Sequence, residues 1–198
     1  MTTDTDNTRC TTGIVRASYV NVFKPREAKN DDGTVRQEYS MAILVPKTDT
    51  ATMDRIKAAA GAARTKKFGD KPPAGLATPW HDGDGPKPNG GDYGPECKGH
   101  WVINVKASAT NPPQVVDARV QPVLDPTAFV SGDYCRVSLN AYGYANRRKG
   151  VALGLGNVQV VRKGEPLGSQ RDPASEFEAI AGAEASATPA ATAGFDAW

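Results

Sequence analysis

Five residues spaced two apart, Tyr134, Arg136, Ser138, Asn140 and Tyr142, combine two phenol rings with a guanidinium, a hydroxyl and an amide. In an extended chain successive side chains point to opposite faces, so this set shares one face while Cys135, Val137, Leu139 and Ala141 share the other. The second face is apolar and suited to burial. The first is too polar for a core and richer in aromatics than an ordinary solvated surface. Rings stack on bases and cations pair with phosphates, so the pattern suits single-stranded nucleic acid, a ligand that is both flat and polyanionic. Arg147, Arg148 and Lys149 follow, flanked by Asn146 and Gly150, which take the positive backbone angles of tight turns. They place three cations at the tip of a hairpin whose second arm runs from Val151 to Val161, with Gly154 and Gly156 permitting bending or close approach.

Other residues can join this chemistry. Lys106 lies with His100, Asn104 and Ser108 on the polar face of the stretch His100 to Ser108 and is a candidate phosphate contact. Trp101 shares parity with Ile103, Val105 and Ala107, which points it to the core, yet beside His100 at the strand start it also suits a stacking platform. Arg16 takes the polar side of an earlier strand. Catalytic signals are missing: there is no GxxxxGK[ST] run, no GxSxG elbow and no dinucleotide fingerprint. Cys97-x-x-His100, with His81, Asp82 and Asp84 upstream, supplies one ligand pair where a zinc site normally shows two. No metal, cofactor or enzymatic activity is therefore expected.

The elements that must position these residues are mainly β. Gly13 to Phe23 reads as a first strand with a bulge near Tyr19 and a stop at Pro25, and Lys24 to Arg36 reads as a polar loop. Tyr39 to Val45 is almost continuously apolar, the mark of a central strand. A helix is expected from about Asp49 to about Lys67, capped by Thr48, with Met53, Ile56, Ala60 and Ala63 as its buried stripe. Gly69 to Lys98 holds seven Gly and six Pro and is expected to be a long loop without regular structure. Gln114 to Val123 gives a short irregular strand before the hairpin.

Composition frames the rest. The 198 residues suffice for one domain with an extension, and 20 Gly with 15 Pro favour a loop-rich β fold. No run approaches the roughly 20 apolar residues of a membrane span, the polar start is unlike a signal peptide, and three scattered Cys are expected to stay reduced. The net charge of +2 conceals an asymmetry: from Glu165 onward six acids face one base, while the body holds 23 bases and 16 acids. A basic body with an acidic tail suits a polyanion partner and a tail that competes for the same surface. The Ala-, Gly- and Ser-rich tail is expected to be disordered, and its end, with Phe195, Asp196 and Trp198, has the look of a docking peptide for partner proteins.

The stretches IVRASYVNVFKPR, YSMAILVPKTD, TKKFGDKPPAGLATPWHDGD, YGPECKGHWVINVKAS, VVDARVQPVLDP and SGDYCRVSLNAYGYANRRKGVALGLGNVQVVRKGEPLG, in this order, resemble the phage-encoded single-stranded DNA-binding proteins. The resemblance implies an OB-fold-like Greek-key barrel over residues 13–164, with a disordered start over 1–12 and a flexible acidic tail over 165–198. It implies single-stranded DNA as partner, bound without strong base preference in the cytoplasm of an infected bacterial host, and replication or recombination proteins docking on the tail. An annealing or recombination mediator, or a virion structural protein, are the alternatives, and a homo-oligomer is compatible with the sequence.

Overall fold

The computed structural model describes residues 7–29 and 33–167. The strands are β1 (Arg9–Thr11), β2 (Val15–Lys29), β3 (Val35–Pro46), β4 (Trp80–Asp82), β5 (His100–Ser108), β6 (Val115–Val116), β7 (Tyr134–Ala145) and β8 (Lys149–Arg162), and one helix, α1 (Thr50–Phe68), follows β3. Each of β2, β3, β5, β8 and β7 pairs with the next, and β7 pairs back to β2. Five strands thus close into a barrel, antiparallel throughout except for the β5–β8 seam. This is the OB arrangement. Where β2 leaves β7 after two paired residues, β1 takes over the same edge, Arg9 opposite Asn140 and Thr11 opposite Ser138.

Alternation decides what fills the barrel. Cys135, Val137, Leu139 and Ala141 of β7 point inward with Ile103 and Val105 of β5, Met41, Ile43 and Val45 of β3, and Val15 and Ala17 of β2. Helix α1 covers part of this core with Met53, Ile56, Ala59, Ala60 and Ala63, the expected stripe plus one alanine. Small residues let it sit close to β7. A Cβ on Gly143 would stand 2.4 Å from Cβ of Lys67, so glycine there sets the approach. Among the described residues no helix is long and apolar enough to cross a membrane.

Several expectations change. Residues 7–12, expected to be disordered, are built into the fold: Thr8 and Thr12 are buried, and Thr12 Oγ1 accepts from the Val137 N–H at 3.0 Å, so polar composition marks an edge strand here rather than disorder. Pro25 does not end β2. Asn21 pairs with Ser40 and Arg26 with Glu38, leaving four residues opposite Tyr39 alone; Pro25 lies in that bulge, where its missing N–H removes no ladder bond. The segment read as a polar loop over Lys24 to Arg36 therefore forms, in its described part, the ends of a β2–β3 hairpin. The helix cap is Asp49, whose carboxylate accepts from the Thr52 N–H at 3.0 Å, rather than Thr48.

The long loop also holds β4, paired with β5, and a 3-10 turn over Pro95–Cys97. Of Gln114 to Val123 only Val115–Val116 is strand. In β8, Val137 pairs with Val158 but Leu139 with Leu155, so an extra residue sits near Gly156, and Val158 turns into the core instead of following Gly154 outward. Ser138 Oγ fills the bulge, accepting from the Asn157 N–H at 2.7 Å where a Cβ on Gly156 would lie only 2.4 Å away. The expected tail residues Phe195, Asp196 and Trp198 lie outside the described residues.

Candidate nucleic-acid interface

Register brings one polar row across the outer surface of the barrel. Asn21 pairs with Ser40, Ser40 with Lys106, Lys106 with Gly154, Gly154 with Asn140, and Asn140 with Arg9. The row crosses six strands, and its middle position is a glycine, leaving bare backbone as the floor between Lys106 and Asn140. Two grooves flank it. One, of about 660 Å³, is lined by Arg9, Cys10, Lys106, Asn140, Tyr142 and Gly154 among others. The other, of about 420 Å³, is lined by Tyr19, Asn21, Arg26, Ser40, Asn104 and Lys106 among others. Lys106 lines both.

The cations along the grooves are held by a carboxylate. Glu38 is only 3% exposed, though it lies on the outward face beside Ser40, because Arg26, Arg36 and Lys106 cover it. Arg26 Nη2 and Lys106 Nζ reach its Oε1 at 2.9 and 3.1 Å, and Arg36 Nη2 reaches Oε2 at 2.9 Å. Burial pushes the Glu38 carboxyl up, but the hydrogen bonds and charges of Arg36 and Lys106 together outweigh it and hold the group below its ordinary value. Three cations, Arg26, Arg36 and Lys106, are thus gathered around one anion beside the grooves. Burial raises the Tyr142 phenol, with Arg36 opposing, so the hydroxyl stays a neutral donor beside a half-exposed ring.

Of the residues singled out in the sequence, Lys106, Asn140 and Tyr142 come together here. Arg147, Arg148 and Lys149 stand exposed around the β7–β8 turn. Others are placed elsewhere. Arg162 lies over the Tyr134 ring at 3.5 Å and Arg16 at 5.9 Å; Arg16 itself donates to the carbonyls of Gly132 and Glu165. Arg136 Nε donates to the Thr12 carbonyl at 3.4 Å. His100 Nδ1 lies 2.8 Å from the Lys98 carbonyl, and Trp101 packs against the core with Lys47 over its ring at 5.3 Å. Tyr134, Arg16, Arg136, His100 and Trp101 line neither groove.

Tyr19, Arg26, Arg36 and Glu38 escaped the sequence reading, three of them because they fall in the stretch taken for a loop or at its edge. The broken alternation at Tyr19 was their one visible signal. Asp82 and Asp84, considered for a metal, both hold Lys47 Nζ, which keeps their carboxyls low and the ammonium high. No cluster of three or more metal-ligating side chains occurs among the described residues.

Comparison with known proteins bears on the family and the fold. The family model described as Enterobacter phage Enc34, ssDNA-binding protein, matches residues 8–188. Protein p50 of Acyrthosiphon pisum secondary endosymbiont phage 1 is 27% identical over 184 residues, covering 86% of this chain and 92% of that protein. The single-stranded DNA-binding protein of bacteriophage Enc34, solved in complex with ssDNA, superposes with a TM-score of 0.67 at 25% identity, over 81% of this chain and 89% of that one. The single-stranded DNA-binding protein gp2.5 of bacteriophage T7 shares the fold, with a TM-score of 0.55 at 16% identity over 83% and 97% of the two chains.

Proposed function

The chain belongs to the family of the Enterobacter phage Enc34 ssDNA-binding protein, and from that membership we propose that it binds single-stranded DNA across the polar row between Arg9 and Asn21. The observation that carries the reading is the row itself. Phosphates would meet Lys106 and the cations gathered by Glu38, while Tyr142 offers a ring beside the glycine floor where a base can lie flat. Every base has a stackable face, so little sequence preference follows. The basic tip at Arg147, Arg148 and Lys149 would extend the electrostatic contact beyond the grooves.

The role proposed is non-catalytic. The protein coats exposed strands in the cytoplasm of an infected bacterium and presents its acidic tail, with Phe195, Asp196 and Trp198, to replication or recombination proteins. Fluorescence anisotropy of labelled poly-dT against a duplex of equal length, across a salt series, tests the binding. Tight and salt-sensitive association with the single strand alone is expected; equal or absent binding to both overturns it. Capture of host or phage replication proteins by the full chain, but not by a chain ending at Leu167, tests the tail.

A further inference from the structure

Tyr19 adopts a backbone angle that a bulky side chain rarely takes, with φ at 49°. Ser18 pairs with Ala42 and Asn21 with Ser40, so Tyr19 and Val20 together stand opposite Met41. That is a bulge, a device that re-aims side chains. Hydrogen bonds fix it on both sides: the Val20 N–H donates to Ser131 Oγ at 3.1 Å, and Asn21 Nδ2 donates to the Tyr19 carbonyl at 3.0 Å. The outcome is an aromatic ring 71% exposed, at a position where glycine or asparagine would sit with less strain. Burial does not explain the ring.

The ring stands at the groove of about 420 Å³ whose other walls include Asn21, Arg26, Ser40, Asn104 and Lys106. Two of those walls are built rather than incidental. Arg26 and Lys106 are both anchored on the buried Glu38, and Arg26 Nε donates to Ser40 Oγ at 2.7 Å, so the fold itself fixes the two cations. A stacking surface and two fixed cations then share one polar cleft.

We propose that this groove is a nucleotide subsite of the single-strand path, in which a base stacks on Tyr19 and the adjoining phosphate pairs with Arg26 and Lys106. The inference rests on the single-strand-binding reading and extends it. Lys106 lines both grooves, so a strand lying against Tyr142 passes over Lys106 and onto Tyr19, and the path crosses β7, β8, β5, β3 and β2 in that order.

The test is anisotropy with a labelled dT oligonucleotide and the full chain carrying Tyr19→Gly, with urea unfolding measured on the same preparations. Affinity is expected to fall about 5- to 150-fold, the loss of one stacked base, while the unfolding midpoint stays level or rises because glycine relieves the backbone. Tyr19→Phe, which restores a ring, recovers most of the affinity. An oligonucleotide carrying 5-iodouracil is expected to photocross-link to Tyr19. Wild-type affinity in Tyr19→Gly, beside a weakened Tyr142→Ala, overturns the subsite and leaves single-strand binding standing. A lowered unfolding midpoint in Tyr19→Gly also counts against it, since the ring would then serve the fold. Failure of the wild-type chain to bind dT removes the underlying reading.

Discussion

The guanidinium carbon of Arg162 lies 3.5 Å from the centroid of the Tyr134 ring, while β7 and β8 also bring their backbones together at this pair. One face of that ring is occupied, and Arg16 approaches it as well. Tyr134 and Tyr142 share a strand and a parity, yet Tyr142 lines the groove above Gly154 while Tyr134 lines neither of the two grooves. Replacing Tyr134 by Ala is therefore expected to act on stability, costing about 1–3 kcal/mol through lost packing and cation–π contact, and to weaken single-strand binding far less than Tyr142→Ala does. Urea unfolding and anisotropy on the same two variants check it. A larger binding loss at Tyr134 would place the strand's path at the other end of β7.

Tyr142→Ala is the complementary case. Its ring is 47% exposed and stands 3.7 Å from where a Cβ on Gly154 would be. Losing the ring should remove about 1–3 kcal/mol of binding free energy with little change in unfolding. Gly154→Val should have a similar effect from the opposite direction, by raising a side chain from the groove floor, since the position has no positive φ that would forbid it. If valine there leaves binding intact, the strand does not cross that floor.

The cations of the tip are expected to contribute charge without stacking. Each Arg or Lys that neutralises a phosphate of a single strand contributes about 0.7 to the slope of log affinity against log salt. Changing Arg147, Arg148 and Lys149 together to Ala should then flatten the slope by up to about 2, while high-salt affinity, dominated by stacking, changes less. An unchanged slope would show that the tip projects away from bound DNA.

The first arm of the hairpin and its turn were legible because the alternation there is regular and the turn carries residues suited to one conformation; the inward-facing residues Cys135, Val137, Leu139 and Ala141 followed from parity. The β8 bulge was not legible, since a single extra residue at Gly156 reverses parity without altering composition. The same cause hid much of the site. Parity counting stops at Tyr19, and Pro25 reads as a terminator unless its bulge is known. Arg26, Arg36 and Glu38 are only three charged residues in or beside a loop-like stretch until register sets Arg26 opposite Glu38 and Glu38 opposite Ser108. Burial of a carboxylate by three cations from three strands is a fact of tertiary pairing, and no local pattern announces it.

Glu38 gives a prediction in which the sign of a pH effect is fixed by that cluster. Its carboxyl is held below its ordinary value of 4.5, because the hydrogen bonds and charges of Arg36 and Lys106 outweigh burial. A group whose folded pKa is depressed lends stability that is fully present above the unfolded value and disappears as pH falls through the folded one. Glu38→Gln abolishes the charge but nearly keeps the shape. At pH 7 it should cost about 1–3 kcal/mol, because Arg26, Arg36 and Lys106 then face one another across a neutral amide. Below 4.5 the unfolded carboxyl takes up its proton first and the folded one only at its lower value, so the difference between the two chains should shrink progressively as pH falls. Urea unfolding of both proteins from pH 7 down to pH 3 measures that difference with every other titration common to the pair. A gap that stays constant across the range would mean that the contribution of Glu38 is one of shape and hydrogen bonding, and that its negative charge does not hold the three cations in place.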